Sequence, residues 1–172
     1  MVIASDLLLR GSVWQKVINA CTKIFTQRPN YDVCLLATSI GVLYDQRIDS
    51  LPEDDTGATP PSVPRNVFNN NSEPFDELFQ TAILTTTTCE IGDKQRLEMA
   101  FGEGDKSFDK KAFLLSFANF GVTKLAEIIA DDAFETAENI KNFITLSVEG
   151  HNPDFDLPDL QELTEEELGI SY

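Results

Sequence analysis

The sequence predicts a compact, mostly α-helical domain followed by an acidic segment. Apolar residues recur at intervals of three and four in several stretches, which is typical of helices that bury one face. Prolines and glycines mark the ends of several of these stretches. We therefore expect an all-α bundle of about six helices in residues 1–150 and an acidic tail in residues 151–172.

The first two helices are predicted between residues 12 and 44. Ser12-Val13-Trp14-Gln15 matches a capping box, in which a Ser side chain and a Gln three residues later satisfy free backbone amides. The apolar periodicity behind it ends at Arg28-Pro29. A second helix is expected from Asp32 to Tyr44, and apolar residues cover nearly its whole circumference. Such a helix belongs in the middle of a bundle.

Residues 45–71 break the helical pattern. Acidic residues, four prolines and three consecutive asparagines indicate a long surface loop, and loops of this length are uncommon in compact domains. Within the loop, Gln46–Ile48 and Val67–Phe68 are predicted to pair as a minor β-ribbon.

Four further helices are predicted after this loop. One follows Ser72, a short one begins at Asp93, and a long apolar one runs from Ser107 to about Ala130. Gly121 in the long helix marks either a close helix crossing or a break into two pieces. Three aromatic residues of that helix are expected in the core: Phe113, Phe117 and Phe120.

The last predicted helix begins at a second capping box, Asp132-Ala133-Phe134-Glu135, and ends near Gly150. Its apolar residues recur at three and four and predict one buried stripe: Phe134, Ala137, Ile140, Ile144 and Val148.

The net charge of −16 is unevenly distributed along the chain. Residues 1–48 are slightly basic, whereas residues 149–172 contain eight acidic residues and no Lys or Arg. Nucleic-acid binding requires a basic surface, so direct DNA binding is not expected. Three cysteines without metal-ligand or redox spacing, and no apolar run of about 18 residues, favour a cytoplasmic protein.

No set of residues predicts catalysis or a cofactor site. His151 is the only histidine, and it lies in the polar stretch before the tail. The carboxylates of Glu53-Asp54-Asp55, Glu103 and Asp105 lack the spacing of a calcium loop and are expected to be solvated. A carboxylate-based enzyme using Asp32, Glu103 and Asp105 remains the catalytic alternative.

The acidic tail is the predicted partner-binding segment. Its leucines are three residues apart and separated by acidic residues, a pattern that predicts docking as a helix in a partner's groove. The segment has too little apolar content to fold alone, so plain disorder is the alternative to docking on a partner. The residues expected to contact a partner are Leu157, Leu160, Leu163, Glu165, Glu166 and Glu167.

Two stretches resemble a small family of bacterial proteins associated with DNA phosphorothioation (Dnd) defence systems. The first is residues 31–41 followed by Asp45-Gln46-Arg47, and the second is Phe117-Ala118-Asn119-Phe120-Gly121 leading into Leu125. The chain departs from the family pattern at Phe117, where Tyr is usual, and at Phe120, where Gly is usual. The resemblance implies a genetic context beside anti-phage genes and carries no catalytic residues.

These observations together predict a non-enzymatic accessory or scaffold subunit of a bacterial anti-phage defence complex. Its partners would be larger subunits of a defence or DNA-processing complex, with no direct nucleic acid, membrane or cofactor. The alternative is an acidic regulator or inhibitor that mimics DNA and binds a nucleic-acid-binding protein, since a strong negative field steers basic partners.

Overall fold

The computed structural model describes residues 1–53, 59–102 and 108–148 and confirms the mostly α-helical fold. Within those ranges the chain forms seven helices and one two-stranded sheet. In chain order the elements are β1 (Leu7–Leu8), α1 (Ser12–Cys21), α2 (Pro29–Tyr44), β2 (Ser62–Val63), α3 (Arg65–Asn70), α4 (Glu73–Thr85), α5 (Asp93–Phe101), α6 (Lys110–Ile128) and α7 (Ala133–Val148).

The centre of the fold is the packing of α2 against α6, where two glycines allow the backbones to touch. A Cβ atom on Gly41 would lie 2.0 Å from the carbonyl oxygen of Phe117. A Cβ atom on Gly121 would lie 1.8 Å from the carbonyl oxygen of Ala37. The helices can approach this closely only because both positions lack a side chain. Gly121 therefore marks a close crossing, and α6 continues unbroken through it.

The core surrounds this crossing. Phe113 and Phe117 are buried as predicted, whereas Phe120 is half-buried with its ring 5.7 Å from that of Tyr44. Five of the largest fully buried side chains come from five different helices: Trp14, Phe68, Phe75, Met99 and Phe117. Full burial of each large apolar side chain contributes about 1.5–3 kcal/mol.

The starts of α1 and α2 differ from prediction. Gly11, with φ of 112°, precedes α1, and no side chain caps that helix, so the capping box predicted at Ser12 is wrong. The Ser12 amide instead donates to the carbonyl of Pro52, 3.2 Å away. Pro29 is the first residue of α2, three positions before the predicted start, because a missing N–H costs nothing in the first turn of a helix.

The β-ribbon exists but not where the sequence predicted it. Leu7 pairs with Val63 and Leu8 with Ser62 in an antiparallel ladder. Val67–Phe68 belongs to α3. Gln46–Ile48 forms no strand because the Ile48 amide donates to the carbonyl of Ser116 on α6, at 2.9 Å.

The last helix begins as predicted but buries less than expected. The Asp132 carboxylate accepts hydrogen bonds from the amides of Phe134 at 2.8 Å and Glu135 at 3.0 Å. Ile140 is buried, but Phe134 is 71% exposed and Ile144 is 42% exposed. The predicted stripe is therefore only partly correct, because α7 packs against α1 and α6 and leaves its side toward α2 open.

Candidate protein-binding groove

An open apolar groove of about 780 Å³ lies between α2 and α7. The loop after α1 contributes Ile24 and Phe25 to its lining, the outer side of α2 forms one wall, and α7 from Ala137 to Thr145 forms the other. Its apolar lining consists mainly of Ile24, Phe25, Leu35, Leu36, Ile140 and Ile144.

The α2 wall follows from the apolar circumference of that helix. Val33, Ala37 and Ile40 are buried in the core. Leu35 and Leu36 point to the other side of the helix and are only half-buried. A surface helix normally carries polar residues at such positions. Two adjacent half-buried leucines facing the groove therefore indicate a surface that an apolar partner can cover.

The polar side chains along the groove already have partners or reach water. The Ser39 hydroxyl donates to the carbonyl of Leu35 at 3.0 Å, and Lys141 and Thr145 are exposed. In residues 1–53, 59–102 and 108–148, no buried side-chain nitrogen or oxygen lacks a hydrogen-bond partner. The groove thus presents no unsatisfied polar atom to orient a small polar ligand, and an apolar surface matches it better.

The charged side chains favour an acidic occupant. Asp32 and Lys141 line the groove. An Arg28 nitrogen lies 3.5 Å from the Asp32 carboxylate and offsets its charge. Lys141 is exposed, and so is Lys23, which precedes the lining residue Ile24. An acidic occupant can therefore contact Lys141, although exposed Glu138 lies one turn before it on α7 and the whole chain carries −16.

Three contacts hold α7 in place as the second wall. The Tyr44 and Phe143 rings stack with centroids 6.3 Å apart. The Asn139 side-chain amide donates to the carbonyl of Ile128 at 2.9 Å. Thr136 is buried, and its hydroxyl donates to the carbonyl of Asp132 at 2.8 Å. The Phe143 and Asn139 contacts thus tie α7 to the end of α2 and to the end of α6, and Ile144 stays 42% exposed in the groove.

Most of the site residues predicted from sequence lie outside the described ranges. These are the partner-binding set Leu157, Leu160, Leu163, Glu165, Glu166 and Glu167, together with Glu103, Asp105 and His151. Among the catalytic alternatives only Asp32 is described, and it is paired with Arg28 and lines the groove without a second carboxylate.

The described residues offer neither a metal-binding cluster nor a membrane-spanning helix. They contain no group of three or more His, Cys, Asp or Glu side chains that could hold a metal ion. No helix in the same ranges is long and apolar enough to cross a membrane.

Asp45 and Arg47, which carry part of the family resemblance, connect α2 to α4. Asp45 has φ of 48° at the end of α2, and its carboxylate accepts hydrogen bonds from Thr86 and from the Thr87 amide and hydroxyl, at 2.5, 2.7 and 2.7 Å. Partial burial acts to raise the pKa of Asp45, but these hydrogen bonds and nearby Arg47 outweigh it and hold the pKa below its usual value. The Arg47 guanidinium donates to the hydroxyl of Thr88, at 2.8 Å, and to the Thr88 carbonyl.

Asn119 in the second resembling stretch is also structural. It is buried, accepts a hydrogen bond from the Trp14 indole at 3.0 Å, and donates to the carbonyl of Ile48 at 3.0 Å. One side chain thus joins α1, α6 and the segment after α2. Asp45, Arg47 and Asn119 thus make contacts inside the fold, whereas four residues of the first resembling stretch line the groove: Asp32, Leu35, Leu36 and Ser39.

Comparisons with family models, curated proteins and solved structures gave no match to this chain. The groove is therefore interpreted from its own geometry.

Sequence reasoning missed the groove. The pair Leu35-Leu36 could have indicated it, because these two leucines lie outside the face of α2 that packs on α6. The open side of α7 has no such signal, because Ile144 follows the same spacing as buried Ile140.

Proposed function

We propose that this protein is a non-enzymatic accessory subunit that binds a larger protein through the groove between α2 and α7. The observation that carries the proposal is the open apolar groove itself, with half-buried leucines on one wall and Ile144 on the other. The proposed occupant is an amphipathic helix with an apolar stripe and acidic flanks, because the groove is apolar, Lys141 in its lining is exposed, and Asp32 is paired with Arg28.

The larger partner is proposed to be a subunit of a bacterial defence or DNA-processing complex. This part of the proposal rests on the resemblance of residues 31–47 and 117–125 alone. Identification of the bound protein by mass spectrometry tests it separately from the groove.

The groove is tested with the Ile144→Asp variant. Ile144 is 42% exposed, so a charge there leaves the core intact while opposing both an apolar and an acidic occupant. The matched control is Leu97→Asp on α5, which introduces the same charge at an apolar residue that is 55% exposed. Removing one buried aliphatic contact of about 1.5–3 kcal/mol weakens affinity roughly 10-fold to 100-fold.

The experiment isolates a bound protein from the native host with the wild-type chain and then measures its affinity for all three forms. The proposal requires a loss of at least about 10-fold for Ile144→Asp and a wild-type affinity for Leu97→Asp. Equal binding by Ile144→Asp and wild type would place the contact elsewhere. Robust metal-dependent turnover by the purified chain would overturn the non-enzymatic assignment.

A further inference from the structure

We infer that the chain's own segment 155–163 occupies the groove between α2 and α7 until a partner helix displaces it. This inference rests on the proposed function, since it names the regulation of the same groove. It assigns the leucines of the acidic segment a binding site within their own chain. The sequence alone had predicted a groove on another protein for them.

The position of the segment along the chain makes this contact geometrically available. Helix α7 lines the groove from Ala137 to Thr145 and ends at Val148. Residues 149–156 number eight, which is within the range of helix–helix connections in bundles. The nine steps from Val148 to Leu157 span about 30 Å when extended, so the chain can reverse direction and reach the whole groove.

The lengths of the two surfaces match. The groove extends along α7 over eight residue steps, from Ala137 to Thr145, or about 12 Å. The leucines extend over six steps, from Leu157 to Leu163, or about 9 Å in a helix. Pro158 is compatible with such a helix, because it falls in the first turn where Pro is tolerated.

Charge complementarity favours this segment over an uncharged apolar helix. Asp156, Asp159 and Glu162 interrupt the leucines, and no Lys or Arg follows Glu149. The groove presents exposed Lys141, and exposed Lys23 precedes the lining residue Ile24. With the leucines in the groove, the acidic side chains lie beside basic groups.

Covalent attachment strengthens a contact that would be weak between separate molecules. A short flexible connection gives the segment an effective concentration in the millimolar range. A leucine segment with modest intrinsic affinity then occupies the groove in most molecules. A partner helix must bind more tightly than the segment to replace it, so the segment sets a threshold for partner binding.

The test uses hydrogen–deuterium exchange of the purified full chain without any partner. The variant combines Leu157→Asp, Leu160→Asp and Leu163→Asp, and the control is Leu168→Asp, which changes a leucine outside the proposed contact. We expect residues 137–147 to exchange at least about 10-fold faster in the triple variant and at the wild-type rate in the control.

A second measurement uses a fluorescent synthetic peptide of residues 152–166 as the probe. The peptide is expected to bind the triple variant at least about 10-fold more tightly than the wild-type chain, whose groove is already occupied. Unchanged exchange in the triple variant, together with equal peptide binding, would overturn the inference. Leucine-dependent dimerisation in sedimentation would also overturn it, in favour of exchange of the segment between two copies.

The outcomes separate this inference from the proposed function. Exchange and peptide binding are measured on the isolated protein, so a missing partner does not affect them. Conversely, groove-dependent partner binding survives even if residues 155–163 never contact the groove.

Discussion

The Gly121→Ala substitution tests the helix crossing that positions the groove wall. On an isolated helix this change is favourable by about 1 kcal/mol, because Ala is the better helix former. In the folded chain the new Cβ would lie 1.8 Å from the carbonyl oxygen and 2.6 Å from the carbonyl carbon of Ala37. Ordinary contact begins near 3.4 Å, so α2 and α6 would have to separate by about 1.6 Å.

Both atoms that the new methyl meets belong to a helix backbone and cannot rotate away. The separation therefore loosens contacts along the whole crossing, and gaps of 0.5–1 Å already forfeit a quarter to a half of the dispersion energy between atoms. We expect a net destabilisation of about 3 kcal/mol, at the upper end of the range for overpacking. For a chain of this size that corresponds to a decrease of roughly 6–12 °C in Tm.

The assay is urea unfolding followed by the fluorescence of Trp14, the chain's single tryptophan, which is fully buried. Gly92→Ala is the control, because a Cβ there meets nothing within 4 Å. Since Ala is a poorer N-cap than Gly, the control should lose less than about 1 kcal/mol. An unchanged or raised unfolding midpoint for Gly121→Ala would refute the close crossing.

Two further predictions concern titratable groups. The folded-state pKa of Asp45 is lowered, so its carboxylate contributes stability above its unfolded pKa of about 3.9 and loses it as pH falls through the lower folded value. Asn tolerates the same backbone conformation, so the Asp45→Asn variant should be less stable than wild type at neutral pH. In denaturation measured over a pH series, the free energies of unfolding of the two proteins should converge below about pH 4. A difference that stays constant with pH would contradict this. Burial raises the pKa of the Cys21 thiol to about 11 and that of Cys34 to about 12, so both should resist a thiol reagent until unfolding. Half-buried Cys89 should react first, and the Cys89→Ser variant should not react in the native state. Rapid labelling of that variant would disprove the burial of Cys21 and Cys34.

Helix identity was predictable because it depends on local patterns. The spacing of apolar residues predicted α1, α2, α4, α5, α6 and α7, and the side-chain cap predicted at Asp132 is confirmed by its bonds from the Phe134 and Glu135 amides. The failures occur where distant parts of the chain compete for a backbone group. Ser12 does not cap α1 because its amide binds Pro52, and Ile48 forms no strand because its amide binds Ser116 on α6. No local pattern reports such a partner.

The groove was less predictable than the helices for a similar reason. Periodicity identifies which residues share a face of α7, but it does not say which neighbour covers that face. Ile140 and Ile144 follow the same spacing, and only the position of α7 against α1 and α6 makes one buried and the other half exposed. The acidic leucine segment was recognised from its composition, whereas its proposed site required the groove between α2 and α7.

The most direct test of the groove is photo-crosslinking from Thr145 in the native host. Thr145 is exposed and lines the groove, and exposed Thr85 at the end of α4 provides a control position outside it. A photoreactive amino acid at Thr145 should capture one larger protein through an acidic amphipathic segment, and the same group at Thr85 should not. Equal capture from both positions, or no capture from Thr145, would contradict a protein-binding groove between α2 and α7.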